Sequence, residues 1–259
     1  FIRAKEYEIQ WKKYLALEKK KQIKKSAPKK DIQLDALVEI MNQKRFITCH
    51  SYVQSEINML MHMADSMGFK INTFTHILEG YKVADKMKAH GAGGSTFSDW
   101  WAYKYEVRDA IPYNACLLSK MGIITAVNSD DAEMARRLNQ EAAKAVKYGD
   151  CSEEEALKLV TINPAKLLHI DDKVGSLKIN KEADIVLWSD NPLSIYSIVE
   201  QTYIDGKLLF DRKQNKIDEK ELMKVRAEII SDMISAKNNG KPIGPLRKQN
   251  NTVHKCNQT

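Results

Sequence analysis

Residues 45–76, RFITCHSYVQSEINMLMHMADSMGFKINTFTH, decide the fold that this sequence predicts. A short apolar strand is expected at 46–49 and a second at 70–74. Between them, residues 55–67 have the spacing of an amphipathic helix that ends at Gly68. Parallel strands need a crossover of this length between them. The stretch is therefore typical of a parallel β-α-β unit.

The same alternation continues for two more units. Further strands are expected at 92–97 and 123–127, and further helices at 80–90, 113–121 and 132–148. A complete (β/α)8 TIM-type barrel has eight such units in roughly 250 residues, and four are present here. The predicted fold class is α/β: either the last four units of such a barrel, or an open sheet.

Four regions follow from the pattern. Residues 1–45 form a helical lead-in, 46–160 the strand-helix units, 161–211 a helix with short strands, and 212–259 a charged helix and tail. Four further helices are expected: one at 1–25, one that begins after a cap at Asp31, one at 152–160 and one at 218–237. Further strands are expected at 175–178, 183–188, 198–204 and 207–210. An Asp205-Gly206 hairpin turn joins the last two strands.

The positive charge of the chain lies at its ends. Residues 1–45 carry 13 Lys and Arg against six acidic residues, and 212–259 carry 11 against five, whereas the central region is acidic. Solvated helices explain this better than a nucleic-acid groove, and no nucleic-acid motif is present. No apolar run approaches the ~20 residues that span a bilayer. We expect neither a nucleic-acid partner nor a membrane partner, and homo-oligomer formation is left open.

The four cysteines, Cys49, Cys116, Cys151 and Cys256, have no spacing typical of a zinc ribbon or a disulfide framework, so free thiols are expected. Residues 1–17 are interrupted by charges and do not resemble a signal peptide. The chain begins with Phe1 in what looks like mid-helix, so the localisation is left open.

Three polar residues follow predicted strands directly: His50, His76 and Asp130. The carboxyl ends of parallel strands meet at one edge, and imidazole with carboxylate is a suitable ligand set for zinc. A single histidine at a strand end is more often structural. Asp130 could instead cap the helix near residue 132, although Asp131 is better placed to do so.

Several separate pieces of residues 46–211 resemble the C-terminal part of the amidohydrolase superfamily, nearest its imidazolonepropionase-like branch. They occur in order: TINPAKLL at 161–168, VGSLKINKEADIVLW at 174–188, NPL at 191–193 and YIDGK at 203–207. The resemblance implies the helix that ends the barrel and the returning strands of a small β-sandwich.

By that resemblance, His50 and His76 are ligands of one divalent metal ion, most often zinc, and Asp130 is a ligand of a second ion and the general base. One or two ions are implied. Asn128-Ser129-Asp130 departs from the commoner Gly-Thr-Asp. The superfamily's first-strand His-x-His and its fourth-strand bridging ligand have no counterpart here.

Two further residues are candidates for contact with substrate. Glu79 follows His76 by three positions, but a carboxylate stabilised at a helix start is an equal alternative. Trp100 belongs to FSDWWAY at 97–103, which is expected to form a loop over the site or to pack against the scaffold.

The resemblance implies a metal-dependent hydrolase that acts on carbon–nitrogen bonds of a small-molecule amide, a cyclic amide or a dipeptide-like amide. Asp130 would take a proton from the attacking water. With two histidines for one ion, the chain by itself is expected to be inactive. The alternative is a non-catalytic binding or assembly scaffold on the same fold.

Overall fold

The computed structural model describes residues 1–241, and its centre is a parallel sheet. Four strands pair in the order β1-β2-β3-β4, all parallel. The strands are β1 Thr48–His50, β2 Thr73–Thr75, β3 Gly93–Thr96 and β4 Thr125–Val127. Each begins one to three residues later than the sequence predicts. The predicted α/β class with four parallel strands is confirmed.

Helices separate these strands, and a second sheet follows them. The helices are α1 Ile2–Leu15, α2 Lys19–Lys24, α3 Ile32–Met41, α4 Gln54–Met67, α5 Ala84–His90, α6 Asn114–Lys120, α7 Ala132–Ala135, α8 Leu138–Gly149, α9 Glu153–Lys158, α10 Ile162–Leu167 and α11 Arg212–Asn238, with 3₁₀ turns at Gly80–Val83 and Tyr105–Val107. The second sheet is antiparallel, in the order β5 Ile185–Trp188, β6 Val199–Ile204 and β7 Lys207–Asp211.

The predicted helix ends are confirmed at three positions. The Asp31 side chain accepts the backbone N–H groups of Gln33 and Leu34, and the Asp131 side chain accepts that of Met134 at 2.7 Å. Each carboxylate satisfies donors that the first helical turn leaves unpaired. Gly68 ends α4 in the left-handed conformation, with φ 76°.

Three helix predictions need correction. The helix expected at 1–25 breaks after Leu15, where the Gln22 side-chain amide donates to the carbonyls of Leu15 and Leu17 and so replaces their helical partners. The helix expected at 132–148 is interrupted between α7 and α8. The helix expected at 218–237 begins earlier, at Arg212, because Asp211 caps it.

The strand expected at 175–178 is wrong. Gly175 has φ +83°, and a Cβ there would lie 2.7 Å from that of Ala165 in α10. The backbone is thus folded closely onto a helix, and Lys181 holds it there by donating to the Val174 carbonyl and to Ser176 Oγ. The three later strands and the Asp205-Gly206 hairpin are confirmed.

The expectation of free thiols is wrong for two cysteines. Cys116 of α6 and Cys151, just before α9, form a disulfide across 35 residues, with a Cα–Cα distance of 5.8 Å. Both lie in a buried cluster with Val127, Ala145 and Leu159. Packing of α6 against α8, and of α8 against α9, brings the two together. Their spacing in the sequence does not indicate this pairing. Cys256 lies outside the described residues, as does the predicted tail beyond residue 241.

The main core lies between the parallel sheet and the helices α4, α5 and α6. Ile57, Phe74, Met87 and Leu118 are fully buried there. β3 accommodates this packing with small residues: a Cβ on Gly94 would lie 2.7 Å from Ile77 Cδ1 and 3.4 Å from Met87 Cε. Burial of apolar side chains at about 25 cal/mol per Å² makes this layer the main source of stability. In the described part of the chain, no helix is both long and apolar enough to cross a membrane.

A buried histidine ties α5 to the strand region beside it. The Ile71 N–H donates to His90 Nε2 at 3.0 Å, and His90 Nδ1 lies 2.9 Å from Asp65 Oδ1. The ring is therefore neutral, with its proton on Nδ1. Burial lowers the pKa of His90, although the Asp65 carboxylate acts in the opposite direction.

Acidification should destabilise the fold through His90. Because the pKa of His90 is lowered in the folded state, the unfolded state binds the proton more readily. The contribution of neutral His90 to the free energy of unfolding is therefore complete above the ordinary pKa of about 6.5, and it is lost as the pH falls toward the lowered pKa. Urea unfolding at about pH 7.5 and about pH 5.5 measures the loss. His90→Gln should show a smaller pH dependence. His62→Gln, at an exposed position on α4, should keep the pH dependence of the parent protein. Equal pH dependence in both variants would contradict the prediction.

Candidate active site

The parallel register gathers the predicted site residues at one edge of the sheet. His50 is the last residue of β1 and pairs with Thr75, the last residue of β2. His76 follows β2, and Asp130 follows β4 by three residues. All four strands end at this edge, so the three side chains start from the same side of the sheet.

His50 and His76 are in contact. Their ring centroids lie 4.4 Å apart, with the ring planes at 67°. His76 has φ 62°, in the left-handed region that non-glycine residues seldom adopt. Such a conformation persists only where the surrounding structure enforces it, and it is typical of functional sites. Here it turns the imidazole at the end of β2 toward β1.

The surroundings of His76 keep its ring neutral. Burial lowers the pKa of His76, and the neighbouring His50 and Lys104 act in the same direction, whereas the Asp130 carboxylate opposes them. The pKa of His76 thus responds to the charge of Asp130. Asp130 itself is exposed.

His76 has the properties that a metal ligand needs. A ligand imidazole must be neutral, and His76 Nδ1 is buried without a hydrogen-bond partner. An unpartnered buried nitrogen is costly unless something binds it. Within residues 1–241, however, no three His, Cys, Asp or Glu side chains are grouped closely enough to hold an ion. The pair fits part of a ligand set, and the place of Asp130 in that set stays a prediction.

Three aromatic side chains, called the aromatic wall below, lie beside the pair. The Tyr52 ring lies 4.8 Å from His50, the Phe97 ring lies 4.7 Å from His76, and Trp100 stacks on Phe97 at 4.3 Å. The predicted loop residue Trp100 thus reaches the site through Phe97. Tyr52 was not among the predicted site residues. Its position two residues after His50 could have indicated it, because residues i and i+2 of an extended chain lie on the same face.

One lysine joins this wall. Lys104 Nζ lies 4.1 Å from the centre of the Tyr52 ring and 5.6 Å from that of Tyr103. Both distances are within the range of cation–π interactions. Nothing in the sequence around Lys104 indicates this position, which depends on how the loop after β3 folds back.

A buried carboxylate anchors the start of that loop. Glu141 of α8 is 1% exposed, and it accepts hydrogen bonds from Ser98 Oγ and, at 2.8 Å, from Lys144 Nζ. Lys144 also pairs with Asp99. Burying a carboxylate is tolerated when it is paired and hydrogen-bonded, so this network holds the loop against α8.

Glu79 is bound within the scaffold. It is buried, its Oε2 accepts the Gln54 N–H at the start of α4 at 3.0 Å, and Lys82 Nζ lies 3.4 Å away. Glu79 therefore caps α4, and at the start of the turn that follows it in the sequence its side chain makes no capping hydrogen bond. The expected substrate contact of Glu79 stays untested.

A cavity of about 840 Å³ lies elsewhere, between α10 and the small sheet. Its lining includes Val160, Leu168 and Trp188. None of the predicted site residues lines it, so we assign the chemistry to the strand edge, where the titratable groups meet.

Comparison with known proteins identifies the family of the chain. Residues 50–218 match the model of the Amidohydrolase family. An amidohydrolase of Hapsidospora irregularis is 27% identical over 186 residues, which are 70% of this chain and 19% of that protein. An imidazolonepropionase of Thermoplasma volcanium is 28% identical over 173 residues, 63% of this chain and 42% of that protein. The chain spans less than half the length of these relatives.

Solved structures show the same fold. The amidohydrolase from Thermotoga maritima superposes with a TM-score of 0.66 at 28% identity, over 80% of this chain and 54% of that one. Ochratoxinase from A. niger superposes with a TM-score of 0.52 at 20% identity, over 69% of this chain and 44% of that one. The second likeness concerns the fold alone.

Replacing Glu79 should affect stability. Glu79→Ala leaves the Gln54 N–H without its buried acceptor, and we expect a loss of about 1–3 kcal/mol in the free energy of unfolding. Urea denaturation measures it. Glu133→Ala, which removes an exposed carboxylate from α7, should cost much less. Equal stability of the two variants would show that the Glu79 contacts contribute nothing.

Proposed function

Because the chain belongs to the amidohydrolase family and is similar to imidazolonepropionases, we propose that it is part of a metal-dependent hydrolase of non-peptide carbon–nitrogen bonds. The substrate is a small amide, a cyclic amide or a dipeptide-like amide. The observation that supports this most directly is the histidine pair, because His50 touches His76 and a buried nitrogen of His76 has no protein partner.

The proposed architecture is the second half of a TIM-type barrel, with residues 46–160 as its last four units. Two observations support it. β1 and β4 are the edges of the described sheet, each paired on one side. The chain also covers 54% of the similar Thermotoga structure. Residues 161–211 would then supply the end-of-barrel helix and part of a β-sandwich, after the lead-in at 1–45 and before the charged helix at 212–259.

His50 and His76 would hold the ion, and Asp130 would ligate a second ion or complete the set. Zinc, when bound, lowers the pKa of water and polarises the scissile carbonyl. The Asp130 carboxylate would take a proton from the attacking water and return it to the leaving nitrogen. The aromatic wall of Tyr52, Phe97 and Trp100 would exclude other water, which strengthens electrostatic interactions in the site.

In a longer protein that contains this chain, Asp130→Asn should lower kcat by about 10²–10⁴-fold, as expected for the loss of a general base. Imidazolonepropionase activity is the first to assay, followed by cyclic amides, N-acyl amino acids and dipeptides. Asp131→Asn is the matched control, because asparagine also caps a helix, and it should keep its activity. Equal activity of the two variants would remove Asp130 from the mechanism.

The 259-residue chain alone should be inactive, whereas a longer protein that contains it should hydrolyse one of these substrates. The reason is that a catalytic zinc site uses about three protein ligands, and the histidine pair supplies two. Side-by-side assays with added zinc compare the two proteins. Chelator-sensitive turnover by the short chain, abolished by His50→Ala, would contradict the prediction. No turnover by the longer protein would favour a binding scaffold.

A further inference from the structure

We infer that the long helix α11 pairs with the same helix of a second copy of this protein, as a parallel two-helix coiled coil. The surface that pairs is the apolar stripe of α11, formed by Leu222, Val225, Ile229, Met233 and Ala236. The inference concerns assembly and does not depend on the proposed hydrolase activity.

α11 projects from the body of the protein. Its first turn lies beside the small sheet, where Arg212 Nη1 donates to Glu200 Oε1 of β6 at 2.8 Å. Every residue from Lys216 to Ser235 is exposed, and none of the 27 residues of the helix is buried. Most helical stability in proteins comes from the packing of an apolar face. A helix of about 40 Å with no such packing therefore needs a surface that covers it.

The apolar stripe has the spacing of a coiled-coil seam. Its members follow one another at intervals of three, four, four and three residues, which keeps them on one side of the helix. Leu222 is 67% exposed, Ile229 54% and Met233 49%. Three more exposed apolar residues widen the stripe on one side: Met223, Ile230 and Ile234. A contiguous exposed apolar surface of this kind marks a site of association.

The charges beside the stripe recur with it. The sequence Glu221-Leu222 with Val225-Arg226 is matched eleven residues later by Asp232-Met233 with Ala236-Lys237. An eleven-residue period is one of the repeats that keep a coiled-coil seam in register. Five residues advance by about 140° around a helix. In each repeat the acidic residue therefore lies on one side of the stripe and the basic residue on the other.

This arrangement selects a parallel partner of the same sequence. In a parallel pair the acidic side of one helix faces the basic side of the other, so Glu221 lies opposite Arg226 of the second copy and Asp232 lies opposite its Lys237. An antiparallel pair would bring the acidic sides together, with Glu228 among them. The four groups are available, because no ion pair in the described part of the chain includes them.

The stripe and the residues that widen it are large enough for a specific interface. On two copies, their large apolar side chains together expose on the order of 1,000 Å², which reaches the size of a specific interface. Residues 242–259 could supply little cover in place of a second copy, because they contain only three large aliphatic residues: Ile243, Leu246 and Val253.

The test is sedimentation equilibrium of a longer protein that contains this chain. We expect a dimer with a Kd of about 1–10 μM, since interfaces of this size bind at micromolar affinity or better. Ile229→Asp places a charge at the centre of the seam in both copies and should raise Kd at least about 100-fold. Ser231→Asp is the matched control, because it adds the same charge to the same helix on the side opposite the stripe. It should leave Kd within about twofold of the parent.

Charge reversal tests the parallel register without changing the apolar seam. Glu221→Arg brings like charges together at two places in the dimer and should raise Kd about three- to tenfold. The combined variant Glu221→Arg with Arg226→Glu exchanges the two signs and should restore the Kd of the parent. Circular dichroism of each variant checks that the helix content is unchanged.

Three results would overturn the inference of pairing. They are a parent protein that stays monomeric throughout the titration, a dimer that Ile229→Asp leaves intact, and a monomer that binds vesicles of phosphatidylcholine and phosphatidylglycerol through the stripe. A combined variant that dimerises no more tightly than Glu221→Arg alone would overturn the parallel register.

Discussion

In the central sheet every strand runs in the same direction, and the residues that follow the strands are therefore gathered at one edge. His50, His76 and Asp130 therefore lie at the same edge of the sheet, although up to 80 residues separate them in the sequence. The strands themselves are only three or four residues long. Their alignment depends on the apolar layer of α4, α5 and α6 behind them, which is where most of the burial occurs.

Burial then sets the chemistry of His76. A ring that is removed from water and placed beside another imidazole disfavours protonation, so the pKa of His76 is lowered and its nitrogens stay available as ligands. The left-handed backbone of His76 has a conformational cost of order 1–3 kcal/mol, which the surrounding packing must offset. A histidine that binds a metal ion must be neutral and correctly oriented, with a nitrogen free of another hydrogen-bond partner, and His76 has these properties.

The loop after β3 connects the site to the rest of the fold. At its start, Ser98 and Asp99 are fixed through Glu141 and Lys144 of α8. Phe97, immediately before them, packs against His76, and Trp100, just after them, stacks on Phe97. Farther along, Lys104 reaches the ring of Tyr52. Removing one member of such a network leaves a buried charge uncompensated. The loop is therefore positioned by electrostatics inside the scaffold, and the aromatic wall follows from that.

The sequence by itself determined the alternation of strands and helices, the caps at Asp31 and Asp131, the hairpin at Asp205-Gly206 and the family, because each depends on neighbouring residues or on a contiguous motif. It also predicted that His50 and His76 would meet, because both follow parallel strands. Only the tertiary structure decided the Cys116–Cys151 disulfide, the burial of Glu79 and the position of Lys104 over Tyr52. Those contacts join residues that are 25 or more positions apart, and local propensity and spacing contain no information about which distant surfaces pack together.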